Sequence, residues 1–333
     1  MTVRLDLING IKADMHSWFW EAADPVYKKL NKFYPDMAEV NSIKDIKGGY
    51  WKGTSAIGAT ELESRDDYGV THEDRPVEGY PVYARIKQKS LKVKVPREFD
   101  RDWHRTKEFL RDYVKKSWPL ALEVTKEKIV AAIYNKGGFT SGDSETFNQN
   151  SADLGLTTYT SPNLGYDGKP FFALTSNNHT AKSGSTYYNA LALSGVTFAN
   201  AKTMHTLLTA TNAYMENGQP FDNSQDLVIT CAPALALDWE AVNNSTLNPD
   251  NAENAVNTLK GAFKKIISNP YITTATQSVM HRRAMGVKVW FGEPKFSFWE
   301  ENDPPSKWAR IDLDYAICVQ NFRTHIGNNC PTS

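Results

Sequence analysis

Seven histidines are the first residues of this 333-residue chain that could act as a general base or bind a metal. They lie far apart in unrelated sequence contexts: His16, His72, His104, His179, His205, His281 and His325. The chain contains no HExxH, GxSxG, Walker or GxGxxG motif, and these are the patterns that place such residues at working distances. The spacing therefore predicts no catalytic residue, no metal ligand and no cofactor-binding residue.

Two acidic clusters each allow a functional and a structural interpretation. "THEDRP" places His72, Glu73 and Asp74 in succession, but adjacent side chains on an extended loop point to opposite sides. Solvated loop polarity is therefore preferred over a metal site. "RIDLDY" places Asp312 and Asp314 on one strand face, where paired carboxylates could do acid–base work. Pairing with Arg310 or with an arginine of a neighbouring strand is the preferred reading.

Composition excludes several classes of protein. Lysine plus arginine equal aspartate plus glutamate at 38 each, whereas a sequence-reading nucleic-acid binder usually carries a basic surplus. No apolar run approaches the ~18 residues that span a bilayer, and charges interrupt every apolar stretch of the N-terminus, which excludes a signal peptide. The three cysteines form no CxxC pair, so they fit a reduced cytosolic setting without zinc or disulfides.

The first half of the chain predicts helices around a long charged ribbon. Residues 11–34 predict one or two short helices whose many aromatic side chains need a surface to pack on, and residues 100–135 predict a long helix that Pro119 bends or splits. Between them, residues 48–96 predict a two-stranded excursion ending in the alternating "LKVKVP". Its charge is segregated, because residues 54–78 carry seven acids and two bases, while residues 85–128 carry fourteen bases and seven acids.

The second half predicts alternating helices and strands, typical of a layered α/β unit. We expect a short strand at "KPFF", a helix over 198–217 capped by Gly218, a buried strand at "DLVITC", and helices over 232–245 and 248–268. The corner Asn269-Pro270 should end the last helix, and a strand should follow at 271–276. The tail, "VKVWFGEPKFSFW" and "WARIDLDYAICVQNF", predicts further strands.

The order of these parts resembles the major head protein of tailed bacteriophages, the Hong Kong 97-type shell subunit, and most closely its Mu-like branch. The segments that carry the resemblance are "PFFALTSNNHT" and the stretch from "SGVTFANAKTMHTLL" to "LVITCAPALALDWEAVNNST". It implies an α+β fold with an N-terminal arm (1–47), an extended loop (48–96), a peripheral domain with a long spine helix (97–197 and 291–333) and an α/β axial domain (198–290).

The resemblance also implies a role and partners. The chain would form hexamers and pentamers of an icosahedral shell in the virion, assembled in the host cytoplasm with scaffold, portal and decoration proteins, and it would contact packaged double-stranded DNA non-specifically, with no membrane and no enzymatic activity. We expect acids of the loop to meet bases of a neighbouring subunit, and the candidate contact residues are Glu61, Glu63, Asp66, Asp67, Arg97, Arg101, Arg105 and Lys116. The alternatives are a tail-tube or other phage structural protein, or a metal-dependent or carbohydrate-acting enzyme.

Overall fold

A computed structural model describes residues 11, 13–21, 23, 30–54, 79, 81–95, 103–137, 169–247, 255–302 and 305–332, and for residues 81, 103–106, 302 and 305 it describes the backbone only. The helices are α1 (within 11–23), α2 (Tyr34–Met37), α3 (Trp103–Lys116), α4 (Trp118–Asn135), α5 (Phe198–Thr206) and α6 (Ala236–Asn244). The strands are β1 (Glu39–Ser42), β2 (Tyr50–Thr54), β3 (Pro81–Arg85), β4 (Lys87–Val95), β5 (His179–Thr180), β6 (Thr186–Tyr187), β7 (Ala190–Leu191), β8 (Leu227–Cys231), β9 (Lys265–Ser268), β10 (Ser278–Arg282), β11 (Val287–Phe291), β12 (Lys295–Asn302), β13 (Pro305–Val319) and β14 (His325–Asn328).

The first five-stranded sheet is built around the long strand β13. Its order is β1-β11-β13-β12, and β4 pairs with β13 along the opposite edge. The pairs of β13 with β4, β11 and β12 are antiparallel, and β1 is parallel to β11. The tail strands are therefore confirmed, and the predicted strand "LKVKVP" lies in this sheet beside β13.

Helices α1, α3 and α4 cover one face of the first sheet. Phe19 of α1 and Trp118 of α4 both pack on Phe296 of β12, with ring centroids 5.3 and 5.8 Å apart, so the predicted aromatic packing of the arm is confirmed. The predicted long helix is split, because α3 ends at Lys116 and α4 begins with Trp118 and Pro119 in its first turn. Proline is tolerated there since the first-turn N–H groups have no intrahelical partner.

Strands β2 and β3 pair as the base of the predicted ribbon. The base packs on the first sheet, where Trp51 meets Trp290 at 4.9 Å between ring centroids and Gln320 donates to the carbonyl of Thr54 at 3.0 Å. Val82 is buried at the same place. The two-stranded origin of the excursion is thus confirmed, and the middle of the ribbon lies outside the described residues.

A second sheet has the order β7-β14-β10-β8-β9 and forms a separate core with α5 and α6. Strand β8 is buried along its whole length, as its apolar sequence predicts. Pro233 opens a short 3₁₀ turn that leads into α6, which confirms the predicted helix. Two mixed layers of helix and sheet make the α+β class of the prediction correct.

The helix predicted over 248–268 is wrong for the described part, 255–268. The chain there forms a turn followed by β9, which runs parallel to β8. Asn257 holds the turn by donating to the carbonyls of Val242 and Ser245 at 2.6 and 2.9 Å, and Gly261 has a positive φ of 71°. The β-branched Ile266 and Ile267 then suit a sheet, so tertiary pairing overrides the helix-like apolar spacing.

The strand predicted over 271–276 is also wrong, and the corner at Asn269-Pro270 follows strand β9 instead of ending a helix. Asn135 at the end of α4 binds this segment on both sides, donating to the carbonyl of Tyr271 at 2.8 Å and accepting from the N–H of Thr273 at 3.1 Å. Side-chain hydrogen bonds therefore replace a strand partner here.

Two further elements differ from their predictions. The helix predicted over 198–217 ends at Thr206 and continues only as a π turn over Leu207–Thr211, because Asn212 donates from its side chain to the carbonyl of Tyr188 at 2.8 Å. Gly218 serves a later tight turn with a φ of 85° rather than a helix cap. "KPFF" forms bends, since Asn189 occupies the backbone groups of Phe171 and Ala173 at 2.8 and 2.9 Å.

Two segments, 283–286 and 320–324, connect the two sheets, and hydrogen bonds at Gly286 hold them together. Its carbonyl accepts from the N–H groups of Gln320 and Asn321 at 2.7 and 3.1 Å. Gly286 has a φ of 79°, and a Cβ at this position would overlap Thr324 Oγ1. Only glycine fits this crossing without strain.

Candidate functional site

The basic face of α3 was predicted to receive the acids of a neighbouring subunit. In the structure, α1 of the same chain lies along it: Lys107 Nζ is 2.7 Å from Asp14 Oδ2, and Lys115 Nζ is 2.6 Å from Glu21 Oε2. Lys107 also lies over the Trp18 ring, 5.7 Å from its centroid. These lysines are therefore engaged within the subunit.

Of the predicted contact residues, the structure describes the side chain of Lys116 alone. Its Nζ lies 2.7 Å from Asp112 Oδ2, one turn earlier on α3, and both side chains are exposed. Such a pair contributes about 0–0.5 kcal/mol. The acids of the loop, with Arg97 and Arg101, lie outside the described residues, and Arg105 is described in its backbone only.

A second cationic surface lies on the face of the first sheet opposite the helices. Trp299 and Trp308 are cross-strand neighbours whose rings stack 6.4 Å apart. Lys92 Nζ lies 4.5 Å from the Trp308 ring centroid, with Lys94 at 5.6 Å, and Arg310 lies 5.6 Å from that of Trp299. We call these five residues the tryptophan–cation face. Partly exposed tryptophan and arginine side chains are typical of protein interfaces.

The acidic pair of "RIDLDY" has structural partners, as the preferred reading predicted. Asp312 is buried, and its Oδ2 lies 2.9 Å from Arg310 Nε. Asp314 is 2.5 Å from Lys295 Nζ and accepts from Gln88 Nε2 at 3.1 Å. Carboxylates tied to permanent cations in this way do not make an acid–base pair. The other cluster, "THEDRP", lies outside the described residues.

Two histidines that are distant in sequence meet in the core. His281 and His325 are paired across β10 and β14, both fully buried, with rings stacked 5.2 Å apart. Their partners define the tautomers. His281 Nδ1 donates to the carbonyl of Arg282 at 3.1 Å, and His325 Nδ1 donates to Thr324 Oγ1 at 2.9 Å, because that hydroxyl already donates to the carbonyl of Asn321.

Both Nε2 atoms then accept hydrogen bonds. Thr230 donates to His281 at 2.8 Å, and Tyr134 of α4 donates to His325 at 3.1 Å. Burial lowers the pKa of His281 to about 4, and burial together with the His281 ring places the pKa of His325 well below its usual value. The pair is a neutral, satisfied network that fixes α4 to the second sheet. The spacing of the histidines along the chain carries no signal for it.

Other chemistry is sparse in the described part of the chain. No group of three potential metal ligands occurs there, and no helix there is long and apolar enough to cross a membrane. The three cysteines are free and buried, and burial raises the pKa of each thiol. They are therefore poor nucleophiles.

A groove of about 330 Å³ lies between α4 and the first sheet. Its walls are mostly apolar, with Leu91, Leu122, Ile311 and Leu313 among them, and Lys89 at the same surface. It lacks the converging polar groups that orient a substrate.

Comparison with known proteins rests on structure alone. No family model matches the chain, and no curated protein sequence matches it. Among solved structures, a chain from Mycobacterium phage Patience is 11% identical to this chain, and the alignment covers 98% of this chain and 88% of that chain with a TM-score of 0.50. The capsid of a native GTA particle is 9% identical, covers 91% of this chain and 92% of that chain, and has a TM-score of 0.50.

A virus-like particle from Pyrococcus furiosus is 12% identical over 96% of this chain and 99% of that chain, with a TM-score of 0.46. The two likenesses at 0.50 extend over nearly the whole chain, so they concern the complete arrangement of both sheets and their helices. This chain has the Hong Kong 97-type fold of phage capsid proteins.

Proposed function

We propose that this chain is the major capsid protein of a tailed phage, whose copies form hexamers and pentamers of an icosahedral head around double-stranded DNA. The observation that carries the proposal is the likeness to the capsid of a native GTA particle, which spans 91% of this chain and 92% of that chain. A likeness over both full lengths leaves little of the chain for a separate activity. The location proposed is the virion, after assembly in the host cytoplasm.

We propose a division into domains that is based on sheet membership. We assign the first sheet with α3 and α4 to the peripheral domain, and the second sheet with α5 and α6 to the axial domain. Because β10 lies in the second sheet and β11 in the first, the boundary between the domains is best placed in the turn at 283–286. Residues 1–47 stay assigned to the arm and residues 48–96 to the extended loop, with β4 as the part of that loop that joins the sheet.

The acidic stretch 54–78 is proposed to contact a neighbouring subunit. The receptor expected from sequence was the α3 face, but three of its lysines already have partners in the chain. The tryptophan–cation face is the better candidate, because Lys92 and Lys94 rest on the Trp308 ring, although Arg310 is paired with Asp312. Glu301, an acidic neighbour of this face, accepts from both indole N–H groups.

The further partners proposed are scaffold, portal and decoration proteins, with non-specific contact to the packaged DNA. A balanced charge of 38 bases and 38 acids suits such contact, because a strongly basic wall would bind DNA phosphates tightly. We also propose that the Mu-like branch is the nearest, on the ordered segments quoted above, and that the chain is not an enzyme. A tail-tube protein is the second candidate.

Analytical ultracentrifugation of the purified chain, alone and coexpressed with a scaffold protein, tests the proposal. We expect sedimentation in discrete capsomers alone and in one narrow, very large species with the scaffold. A chain that stays monomeric at high concentration in both cases would reject the proposed function.

A further inference from the structure

Two buried carboxylates lie one turn apart on α4 and face the arm. Glu123 and Glu127 are 3% and 4% exposed, on a helix whose other buried residues are mostly apolar. Glu127 takes the backbone of the arm directly: its Oε1 accepts from the N–H of Phe33 at 2.7 Å and its Oε2 from the N–H of Tyr34 at 3.1 Å. The Glu127 side chain thus binds the arm at the start of α2.

Glu123 has cationic neighbours instead. Lys126 Nζ donates to Glu123 Oε1 at 2.8 Å, and Lys32 of the arm lies 3.6 Å from Oε2. The lysines offset one negative charge of the pair. A second negative charge one turn away, at Glu127, is buried beside the first and is held only by neutral N–H groups, with Lys32 acting at longer range.

We propose that Glu123 and Glu127 form a proton-sensitive clasp that holds residues 30–37 on α4 when Glu127 is protonated and loosens when Glu127 is ionised. A protonated Glu127 keeps one carbonyl oxygen as an acceptor for the arm and weakens the bond at its hydroxyl oxygen, but it removes the buried charge and the repulsion from Glu123. An ionised Glu127 must be both buried and next to a like charge, and opening of the arm returns it to water.

The charges around the clasp agree with this direction. Burial raises the pKa of Glu127 to about 7, the two N–H bonds and Lys32 oppose that shift, and the Glu123 charge adds to it. Tyr34 stays protonated, because burial and both carboxylates raise its pKa. From the first sheet, the uncharged ring of Phe291 packs against Tyr34 and lies near Lys126 Nζ.

Residues 30–37 also bind the second sheet, through Asp36. Asp36 is 2.5 Å from Lys265 Nζ and 2.6 Å from Arg283 Nε, and its carbonyl accepts from the N–H of Ala284 at 2.9 Å. The hydrogen bonds to these two cations hold the pKa of Asp36 below its usual value against burial. Residues 30–37 therefore bridge α4 and the second sheet, and loosening the clasp frees one end of the bridge.

The pH dependence has a definite sign. An open arm returns the pKa of Glu127 from about 7 to its ordinary 4.5, so the closed arm binds the proton more tightly. The closed arm is fully stabilised below pH 4.5, and it loses this stabilisation as the pH rises to about 7. In that window the opening constant rises by up to about tenfold per pH unit and levels off above it.

Hydrogen exchange of the full-length chain, followed by mass spectrometry on a peptide covering 30–37, tests the clasp. After correction for the intrinsic exchange rate, the opening constant of this segment in the wild type should increase from pH 5 to pH 7, by about tenfold per pH unit at most. Glu127→Gln should flatten this rise. The exposed Glu293→Gln is the control and should keep it.

Glu123→Gln provides an independent reading, because it leaves the Glu127 carboxylate in place and removes its like-charged neighbour. The increase of the opening constant with pH should become smaller in this variant. A wild-type segment that opens equally at all pH values, or a rise that persists in Glu127→Gln, would overturn the proposal. If Glu127→Gln does not fold, an unchanged rise in Glu123→Gln overturns it. The test concerns one subunit, so it is independent of what the subunits assemble into.

Discussion

At the scale of single residues, the polar groups buried in this protein join elements rather than perform chemistry. His281 and His325 link two strands to the end of α4 through Tyr134. Arg323 and Glu216 form a fully buried ion pair at 2.9 Å. Removing one partner of such groups leaves the other unsatisfied in the core, which is far costlier than losing a surface contact.

The neutral histidine pair predicts an acid-sensitive fold. The pKa of His281 is lowered to about 4 in the folded chain, so its stabilisation is present above the unfolded value of about 6.5 and is lost as pH falls towards 4. From pH 7 to pH 5 this histidine should account for about 2 kcal/mol of lost unfolding free energy.

The variant His281→Gln isolates this contribution, because glutamine can accept from Thr230 and donate to the Arg282 carbonyl without taking up a proton. Urea unfolding at both pH values should show a loss smaller by about the same 2 kcal/mol. The exposed His16→Gln is the control. Equal losses in wild type and His281→Gln would mean that His281 is not kept neutral by the fold.

Sequence reasoning at this scale succeeded where partners are close along the chain. Arg310 and Asp312 are two positions apart on one strand, so their ion pair could be predicted from alternation. His281 and His325, or Glu127 and Phe33, meet only because sheets and helices bring distant segments together. The one signal available was two acids one turn apart on a helix whose buried residues are mostly apolar.

At the scale of elements, strands and helices with strong periodicity were predicted correctly. The buried run "LVITC", the alternating "LKVKV" and the split at Pro119 all follow local rules. Three of the failures involve an asparagine side chain that binds backbone groups from a distant segment, and in the segment 255–268 the pairing of β9 with β8 adds to this. Asn257, Asn135 and Asn189 each replace a helix or strand in this way, and composition alone does not reveal where such bonds form.

The crossing at Gly286 gives an element-scale prediction. Alanine at a positive φ costs about 1–3 kcal/mol in backbone strain, and at Gly286 a Cβ would also overlap Thr324 and lie 2.6 Å from the Asn321 carbonyl. Gly286→Ala should therefore lower the free energy of unfolding by more than strain alone.

Gly261→Ala is the matched control, since Gly261 has a φ of 71° and a Cβ added there would have nothing within 4 Å. Chemical denaturation of both variants measures the difference. Equal destabilisation would show that the connecting segments have room at Gly286 and do not fasten the two sheets.

At the scale of the whole molecule, a chain with no net charge carries an acidic stretch and a basic stretch that are separate in the sequence. The described base of the ribbon packs on the first sheet, where Trp51 meets Trp290 on the same face as the tryptophan–cation face. Single exposed ion pairs contribute about 0–1 kcal/mol, but an assembly repeats each contact in every subunit.

Charge reversal tests whether the ribbon reaches a neighbour. Reversing Glu61, Glu63, Asp66 and Asp67 to lysine should leave melting of the subunit nearly unchanged and should weaken assembly, most strongly at low salt where screening is least. Light scattering during assembly measures the effect.

A reciprocal reversal supplies the control. Lys92→Glu with Lys94→Glu should also weaken assembly, and combining both sets of changes should restore part of it if the ribbon meets the tryptophan–cation face. Normal assembly of the acid-reversed variant at every salt concentration would contradict the contact, and its unfolding would place the ribbon within the core of its own subunit.

Electron microscopy of the assembled material distinguishes a shell, a tube and a discrete particle by their shapes. A major capsid protein should give hollow, closed icosahedral particles, in which averaged images show hexamers and pentamers of one subunit. Open tubes of stacked rings would support the tail-tube alternative, and uniform small particles under every assembly condition would contradict a capsid protein.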